Sequence, residues 1–185
     1  MLENFSYRKD KSENLQKLEK VTQEVERIGD KLGLKVDQGI KETVAIIIAM
    51  GFPTESSCSG HTNEPGDEGY GFPYVSVYVP APKGWEEDKT NKELGEKWRQ
   101  DNLKYRAQMI PLLDEFNKAR IYENDSLLHL ENMGVFGAFT IESAGVENAK
   151  KLREKEEVVI KIKQFQEEMR LFTEFLKNKF LNENC

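Results

Sequence analysis

Six residues of alternating character, Tyr74-Val75-Ser76-Val77-Tyr78-Val79, decide the fold class of this chain. Successive side chains of a β-strand point to opposite faces of a sheet, so the pattern predicts a strand whose three valines face the core. The two tyrosines and the serine then share the other face. Pro80 and Pro82 follow, and proline ends a strand because it has no backbone N–H to donate.

Upstream of this strand lies an unusual group of side chains, Ser56-Ser57-Cys58-Ser59-Gly60-His61. Six residues hold a thiol, an imidazole, three hydroxyls and a glycine. We interpret the group as a tight turn that follows a short strand, with a loop rich in glycine, proline and acids after it. Loops on a rigid scaffold are where function concentrates, so the group is the candidate site.

Hydrophobic periodicity predicts the other elements. Apolar residues three or four apart indicate helices, and residues 44–50 are apolar all round, for which a buried strand is the alternative. Pro111 should kink or split the third helix. The predicted helices cover residues 12–33, 37–50, 91–119 and 146–181, and the predicted strands cover 54–58, 74–79, 126–131 and 135–142.

The element order α-α-β-β-α-β-β-α predicts an α+β fold, a two-layer sandwich of about four mainly antiparallel strands with helices on one face. One domain is expected over residues 1–185, with an α+β body at 12–145 and a long C-terminal helix at 146–181. Strand order stays open. The apolar stripe of that helix is longer than the first helix can cover, which predicts an exposed patch and a homodimer through it. The patch comprises Phe172, Phe175, Leu176 and Phe180.

The composition of the chain limits the classes of partner that we expect it to bind. The chain has 185 residues and a net charge of −6, and residues 38–90 hold three lysines against eight acidic residues. Such a surface repels a polyanion, so we expect no nucleic-acid binding. No apolar run approaches the roughly 18 residues of a membrane helix, so no membrane association is expected. The two cysteines, Cys58 and Cys185, make no disulfide framework, which favours a cytoplasmic setting.

The stretch around Cys58 allows three kinds of chemistry. Cys58 could be a nucleophile with His61 or His129 as its base, provided that the surroundings lower the pKa of the thiol. Cys58, His61 and His129 could bind zinc with Glu131 as fourth ligand, although so few soft ligands make a structural zinc site unlikely and predict a metal-free protein. Backbone amides of residues 57–61 could form an anion-binding nest.

Structural roles are the alternatives for the same residues. A free cysteine usually just packs in a core, which is the competing interpretation of Cys58. His61 could cap the turn, and His129 lies among leucines, as a packed histidine does. Tyr74 and Tyr78 could cover a helix.

A resemblance is carried by residues 51–61, Gly-Phe-Pro-Thr-Glu-Ser-Ser-Cys-Ser-Gly-His, and by Pro73-Tyr74-Val75. The chain resembles a group of bacterial and phage-type proteins that share a Ser-Cys-x-Gly-His turn, a Pro-aromatic-Val strand and a C-terminal helix. That group has no established activity, so the resemblance implies no reaction.

A shorter likeness is to the tRNA wybutosine-synthesising methyltransferase family, which carries Ser-Ser-Cys-Ser-Gly-Arg. Residues 56–60 match that motif, and His61 stands where the family has arginine. This resemblance implies S-adenosylmethionine and tRNA as ligands, against the expectation from charge.

The resulting hypothesis is a ligand-binding protein whose ligand is small and anionic or nucleotide-like. Its site is built on Ser57, Cys58, Ser59, Gly60 and His61, with Tyr74, Tyr78 and His129 as wall residues. One alternative is an enzyme with thiol or metal chemistry at Cys58 and His61. Another is an interaction protein that works through its C-terminal helix. The sequence does not indicate which cofactor, if any, the protein uses.

Overall fold

The structure, a computed structural model, describes residues 3–28, 35–62, 71–119 and 125–182. In these ranges the chain forms α1 (Glu3–Val25), α2 (Lys41–Ala49), β1 (Thr54–His61), β2 (Gly71–Val77), α3 (Lys92–Lys118), β3 (Leu128–Met133), β4 (Ala138–Ser143), α4 (Val146–Ala149) and α5 (Lys155–Asn182). The predicted order is confirmed apart from the short α4. None of these helices is both long enough and apolar enough to cross a membrane.

The four strands form one antiparallel sheet in the order β1-β2-β4-β3. Val75 pairs with Ile141, and Ile141 pairs with Leu130, so these three side chains share one face. That face packs against α1, α2, α3 and α5 to form the main core. The predicted α+β fold with a four-stranded antiparallel sheet is confirmed.

The second element is a helix, as predicted, rather than a buried strand. Five consecutive residues from Thr43 to Ile47 are buried, and a helix that is hydrophobic all round belongs inside a core. It begins at Lys41 instead of residue 37, because the side chain of Asp37 binds β1 instead of capping the helix. Gly51 follows the helix with φ of 94°.

The predicted C-terminal helix over 146–181 is wrong in one respect, because it is interrupted. α4 ends at Ala149, and α5 begins at Lys155. Val146 and Ala149 pack with Phe72 and Phe165 in a second, smaller core cluster.

The predicted exposed patch on the C-terminal helix is also wrong. Phe172 and Leu176 have no solvent exposure. The ring of Phe116 in α3 lies 5.1 Å from that of Phe172, and Asn14 in α1 donates to the carbonyl of Phe180 at 2.8 Å. Both α1 and α3 therefore reach the C-terminal half of α5 and cover it.

Other boundaries differ by a few residues. β2 ends at Val77, because the N–H and carbonyl of Val79 bind the side chains of Asn102 and Trp98 instead of a neighbouring strand. α3 is continuous through Pro111, so the predicted split is wrong. β3 and β4 lie two and three residues later than predicted at their first residues. The first helix runs from Glu3 to Val25, so its predicted bounds of 12–33 are wrong. The amides of Arg27 and Ile28 bind carbonyls only three residues back, which ends the helix in a turn, and Gly33 itself lies outside the described residues.

Candidate functional site

The six residues 56–61 form the second part of strand β1, so their assignment to a turn is wrong. Cys58 pairs with Tyr74 of β2, and His61 pairs with Gly71. Gly60 has φ of 82°, a backbone conformation that glycine adopts at no steric cost. The glycine that suggested a turn instead places one residue of left-handed backbone in an edge strand, which we call the bend, and the pairing with β2 continues on both sides of it at Ser59 and His61.

Two side chains from other elements hold the bend. The carboxylate of Asp37 accepts hydrogen bonds from the amide of Ser59 at 3.1 Å and from its hydroxyl at 3.3 Å. From α5, Gln166 donates to the carbonyls of Ser59 at 3.1 Å and Gly60 at 2.9 Å. A nest for an external anion would need the Ser59 amide, which a carboxylate of the protein already binds.

The bend brings Cys58 and His61 together. The Sγ of Cys58 lies 3.6 Å from Nδ1 of His61 and accepts a hydrogen bond from the amide of Gly60 at 3.3 Å. Burial raises the pKa of the Cys58 thiol, Asp37 raises it further, and the Gly60 amide only partly opposes them. This pKa direction is opposite to the one that a neutral-pH nucleophile needs.

His129 lies far from this pair. A row of directly paired residues crosses the sheet from Cys58 to Tyr74, then to Glu142, and then to His129. Three strand spacings separate its ends by about 14 Å. His129 therefore cannot act as the base for Cys58. In the part of the chain that the structure describes, no three His, Cys, Asp or Glu side chains are grouped to hold a metal ion.

Glu142, in the middle of this row, has the most unusual environment of its members. Its side chain is 14% exposed, and Nε2 of His129 lies 3.7 Å from its Oε1. Burial raises the pKa of the Glu142 carboxyl, and His129 and Lys150 oppose the rise. The protein thus keeps a carboxyl group partly out of water on the sheet face opposite the helices.

An open cleft of ≈ 450 Å³ lies beside Glu142, and we call it the sheet cleft. Hydroxyl groups line part of it, and those of Ser76 and Thr140 lie 3.2 Å apart. Apolar side chains line the rest. Its residues are Ser56, Gly71, Phe72, Tyr74, Ser76, Met133, Thr140, Glu142, Val146 and Lys150.

The sequence-predicted site residues are only partly brought together. Tyr74 lines the sheet cleft, and His129 contacts Glu142 beside it. Tyr78 lies four residues along the chain, about 13 Å away for extended backbone, and packs edge-on against Trp98 with 5.2 Å between ring centroids. Tyr78 therefore belongs to an aromatic cluster and not to the cleft.

Sequence reasoning missed Glu142 and Thr140, although a signal for them existed. In β4 these two residues alternate with the buried Phe139 and Ile141, as Tyr74 and Ser76 alternate with valines in β2. The two strands could therefore have been paired as neighbours, with their polar residues on the same face of the sheet.

Comparison of the chain with protein-family models, with curated proteins and with solved structures found no match. The two resemblances noted for residues 51–61 therefore stay predictions.

Proposed function

We propose that this protein binds a small organic molecule in the sheet cleft. Ligand sites are concave, typically about 300–1,000 Å³, and mostly apolar with a few polar groups that orient the ligand. The cleft has this size and mixed lining, with Phe72 and Met133 on its apolar side and Tyr74 and Glu142 on its polar side.

The burial of the polar groups is the observation that carries the proposal. A face that merely meets water would extend its polar side chains into solvent. Here Ser76 is 2% exposed, and the Glu142 side chain is 14% exposed with a raised pKa. Perturbed titratable groups in a cleft are typical of binding and catalytic sites.

The anionic or nucleotide-like ligand first expected at residues 57–61 fits less well. Such a ligand would compete with the carboxylate of Asp37 for the Ser59 amide and hydroxyl. Ser59 and Gly60, which follow Cys58 in the chain, also accept hydrogen bonds from Gln166 of α5. The sheet cleft requires no such displacement, and it retains Tyr74 from the first hypothesis.

A second candidate function is thiol chemistry at Cys58, because Nδ1 of His61 lies within 3.6 Å of its Sγ. A Cys58→Ser substitution separates the two candidates. Binding in the sheet cleft should survive it, whereas any thiol-dependent activity should disappear. The cytoplasmic setting, which would keep the thiol reduced, stays a prediction.

A homodimer through the C-terminal helix also stays a prediction, and it has lost its original argument. Of the four side chains expected to form the interface, Phe172 and Leu176 are buried in the main core, and Phe175 and Phe180 are partly buried against it.

The test of the proposed function is a screen of small organic fragments by NMR, with backbone signals assigned. We expect some fragments to shift signals of Tyr74, Ser76, Thr140 and Glu142. Thr140→Phe should fill the cleft and abolish these shifts while leaving the core intact. Val135→Phe is the control, since Val135 is 81% exposed at the β3–β4 turn. Fragments that bind only elsewhere, or that bind Thr140→Phe unchanged, would refute the proposal.

A further inference from the structure

We infer that the ligand of the sheet cleft carries an amine group, and that the positively charged nitrogen binds the carboxylate of Glu142. This inference rests on the proposed function and adds the chemical class of the ligand. It depends on three features of the cleft: its charges, its hydroxyl groups and its apolar wall.

The charges around the cleft favour a cation. Glu142 lines the cleft, Glu131 is close enough to raise the pKa of Glu142 by charge repulsion, and Glu147 binds the cleft-lining Lys150. The ammonium of Lys150 is 2.5 Å from the carboxylate of Glu147, so much of its charge is already compensated. His129 and Lys150 act in the opposite direction to Glu131, but an anionic ligand would still lie directly against the carboxylate of Glu142.

Glu142 retains the capacity to bind a donor. Its closest approach to the His129 imidazole is 3.7 Å, longer than the roughly 2.7–3.2 Å of an N–H···O hydrogen bond. Burial is the largest cause of its raised pKa. A cationic nitrogen in the cleft would offset that loss of hydration, because an opposite charge favours the ionised carboxylate.

Hydroxyl oxygens can accept the remaining protons of an ammonium group. Tyr74 is the direct cross-strand partner of Glu142, and Ser76 pairs with Thr140 in the same way. Four residues therefore present oxygen atoms on one face of two adjacent strands. An ammonium has three donors, which a carboxylate and two hydroxyls satisfy.

The apolar part of the cleft lining suits an apolar body. Phe72 and Val146 line it, and both belong to the second core cluster. The Phe72 ring is held by Phe165 of α5, with 6.1 Å between the ring centroids. A ligand with an amine at one end and an aromatic or aliphatic group at the other would contact both walls.

The experiment compares three probes with the same apolar body: 2-phenylethylamine, 2-phenylethanol and phenylacetate. Binding is measured by NMR titration at neutral pH. We expect the amine to bind about tenfold more tightly than the alcohol, since a hydrogen bond to a charged group contributes about 1.5–3 kcal/mol. Phenylacetate should bind most weakly.

Glu142→Gln should remove the preference for the amine and leave the affinity for the alcohol nearly unchanged. Glu19→Gln is the matched control, because it removes the same charge from an exposed position on α1. Glu142→Asp retains the charge and should retain part of the preference. Thermal melts of the three variants establish that they are folded.

Equal binding of the three probes, no binding of the amine at millimolar concentration, or an amine preference that survives Glu142→Gln would each overturn the inference. None of these results would refute the proposed function. That proposal fails only if the fragment screen finds no ligand whose binding Thr140→Phe abolishes.

Discussion

The two faces of the sheet are built from the same strands and serve different purposes. On one face of β2 and β4, Val75, Val77, Phe139 and Ile141 are at most 1% exposed and pack under the helices. On the other face, the residues between them carry hydroxyl and carboxyl groups into a cleft. Because neighbouring residues of a strand point to opposite faces, stability and binding can be carried by adjacent positions with little interference.

The largest expected difference between the faces is in stability. Phe139→Ala should lower the free energy of unfolding by about 3–5 kcal/mol, because it leaves a cavity in the main core. Truncation of its neighbour Thr140 removes a hydrogen bond with Ser76 and a weak one to the sulfur of Met133, so Thr140→Ala should cost about 1 kcal/mol. Urea denaturation of both variants measures the difference. Similar losses of unfolding free energy would contradict the predicted difference between the two faces.

A second comparison concerns two glycines, one in β1, where the alternation of buried and exposed residues is interrupted, and one before it. A Cβ at Gly60 would lie 2.9 Å from Cδ of Pro73, whereas one at Gly51 would meet no atom within 4 Å. Both glycines have similar positive φ, 82° and 94°. Gly51→Ala should cost only the backbone strain, about 1–2 kcal/mol.

Gly60→Ala should therefore cost clearly more than Gly51→Ala, and Gly60→Val should impair folding. Thermal melts of the alanine pair give the difference. Equal melting temperatures would show that the bend at Gly60 does not depend on close packing against Pro73.

Glu142, on the sheet face that carries the cleft, should make the stability of the protein depend on pH. The pKa of Glu142 is raised above its ordinary value of 4.5 by burial, so the folded protein holds this proton more tightly than the unfolded chain does. The free energy of unfolding should then fall as pH rises from about 4.5 through the folded pKa. Glu142→Gln removes this loss, so the variant should gain stability over the wild type at pH 7 and lose that advantage near pH 4.

Glu96 is the control of opposite sign, because its hydrogen bonds with Arg99 and Gln100 lower its pKa to about 2. Its contribution to stability is present above pH 4.5 and is lost as pH falls toward 2. Glu96→Gln should thus lower stability slightly at pH 7. Urea denaturation at both pH values tests the pair, and a Glu142→Gln variant that is less stable at pH 7 than at pH 4, relative to wild type, would contradict the assignment.

The smallest expected effect concerns Cys58. The sequence allowed Cys58 to be a nucleophile if its surroundings lowered the pKa of the thiol, but burial and Asp37 raise that pKa. In a Cys185→Ser variant at pH 7.5, iodoacetamide should react more slowly with the folded protein than with the urea-unfolded chain. Faster reaction in the folded state would support the hypothesis that the Cys58 thiol is activated.

The order of elements could be predicted because each depends on local periodicity. The alternation at 74–79 and the apolar run at 44–50 both gave the correct type of element. The interruption after Ala149 could not be predicted in this way, since residues 150–154, Lys-Lys-Leu-Arg-Glu, are good helix formers. Val146 and Ala149 belong to a core cluster with the distant Phe72, a tertiary contact that local periodicity does not contain.

The candidate site was predicted less well, because it depends on strand register. Tyr74 could be identified from its own strand. Its neighbour Glu142 comes from a strand 68 positions later, and their pairing follows from the order β1-β2-β4-β3, which periodicity does not contain. The Ser-rich stretch was misassigned because serine and glycine are typical of turns and also of irregular edge strands.

The contact between Asp37 and β1 has a further consequence, for the colloidal behaviour of the protein. β1 is an edge strand, and an edge with unpaired N–H groups can template sheet growth from one molecule to the next. Asp37 accepts a hydrogen bond from the N–H of Ser59 and places a negative charge at that edge, and the register of β1 against β2 is irregular between Thr54 and Ser57. Both features oppose sheet growth at this edge, and Asp37→Asn would remove the charge while largely preserving the shape of the side chain.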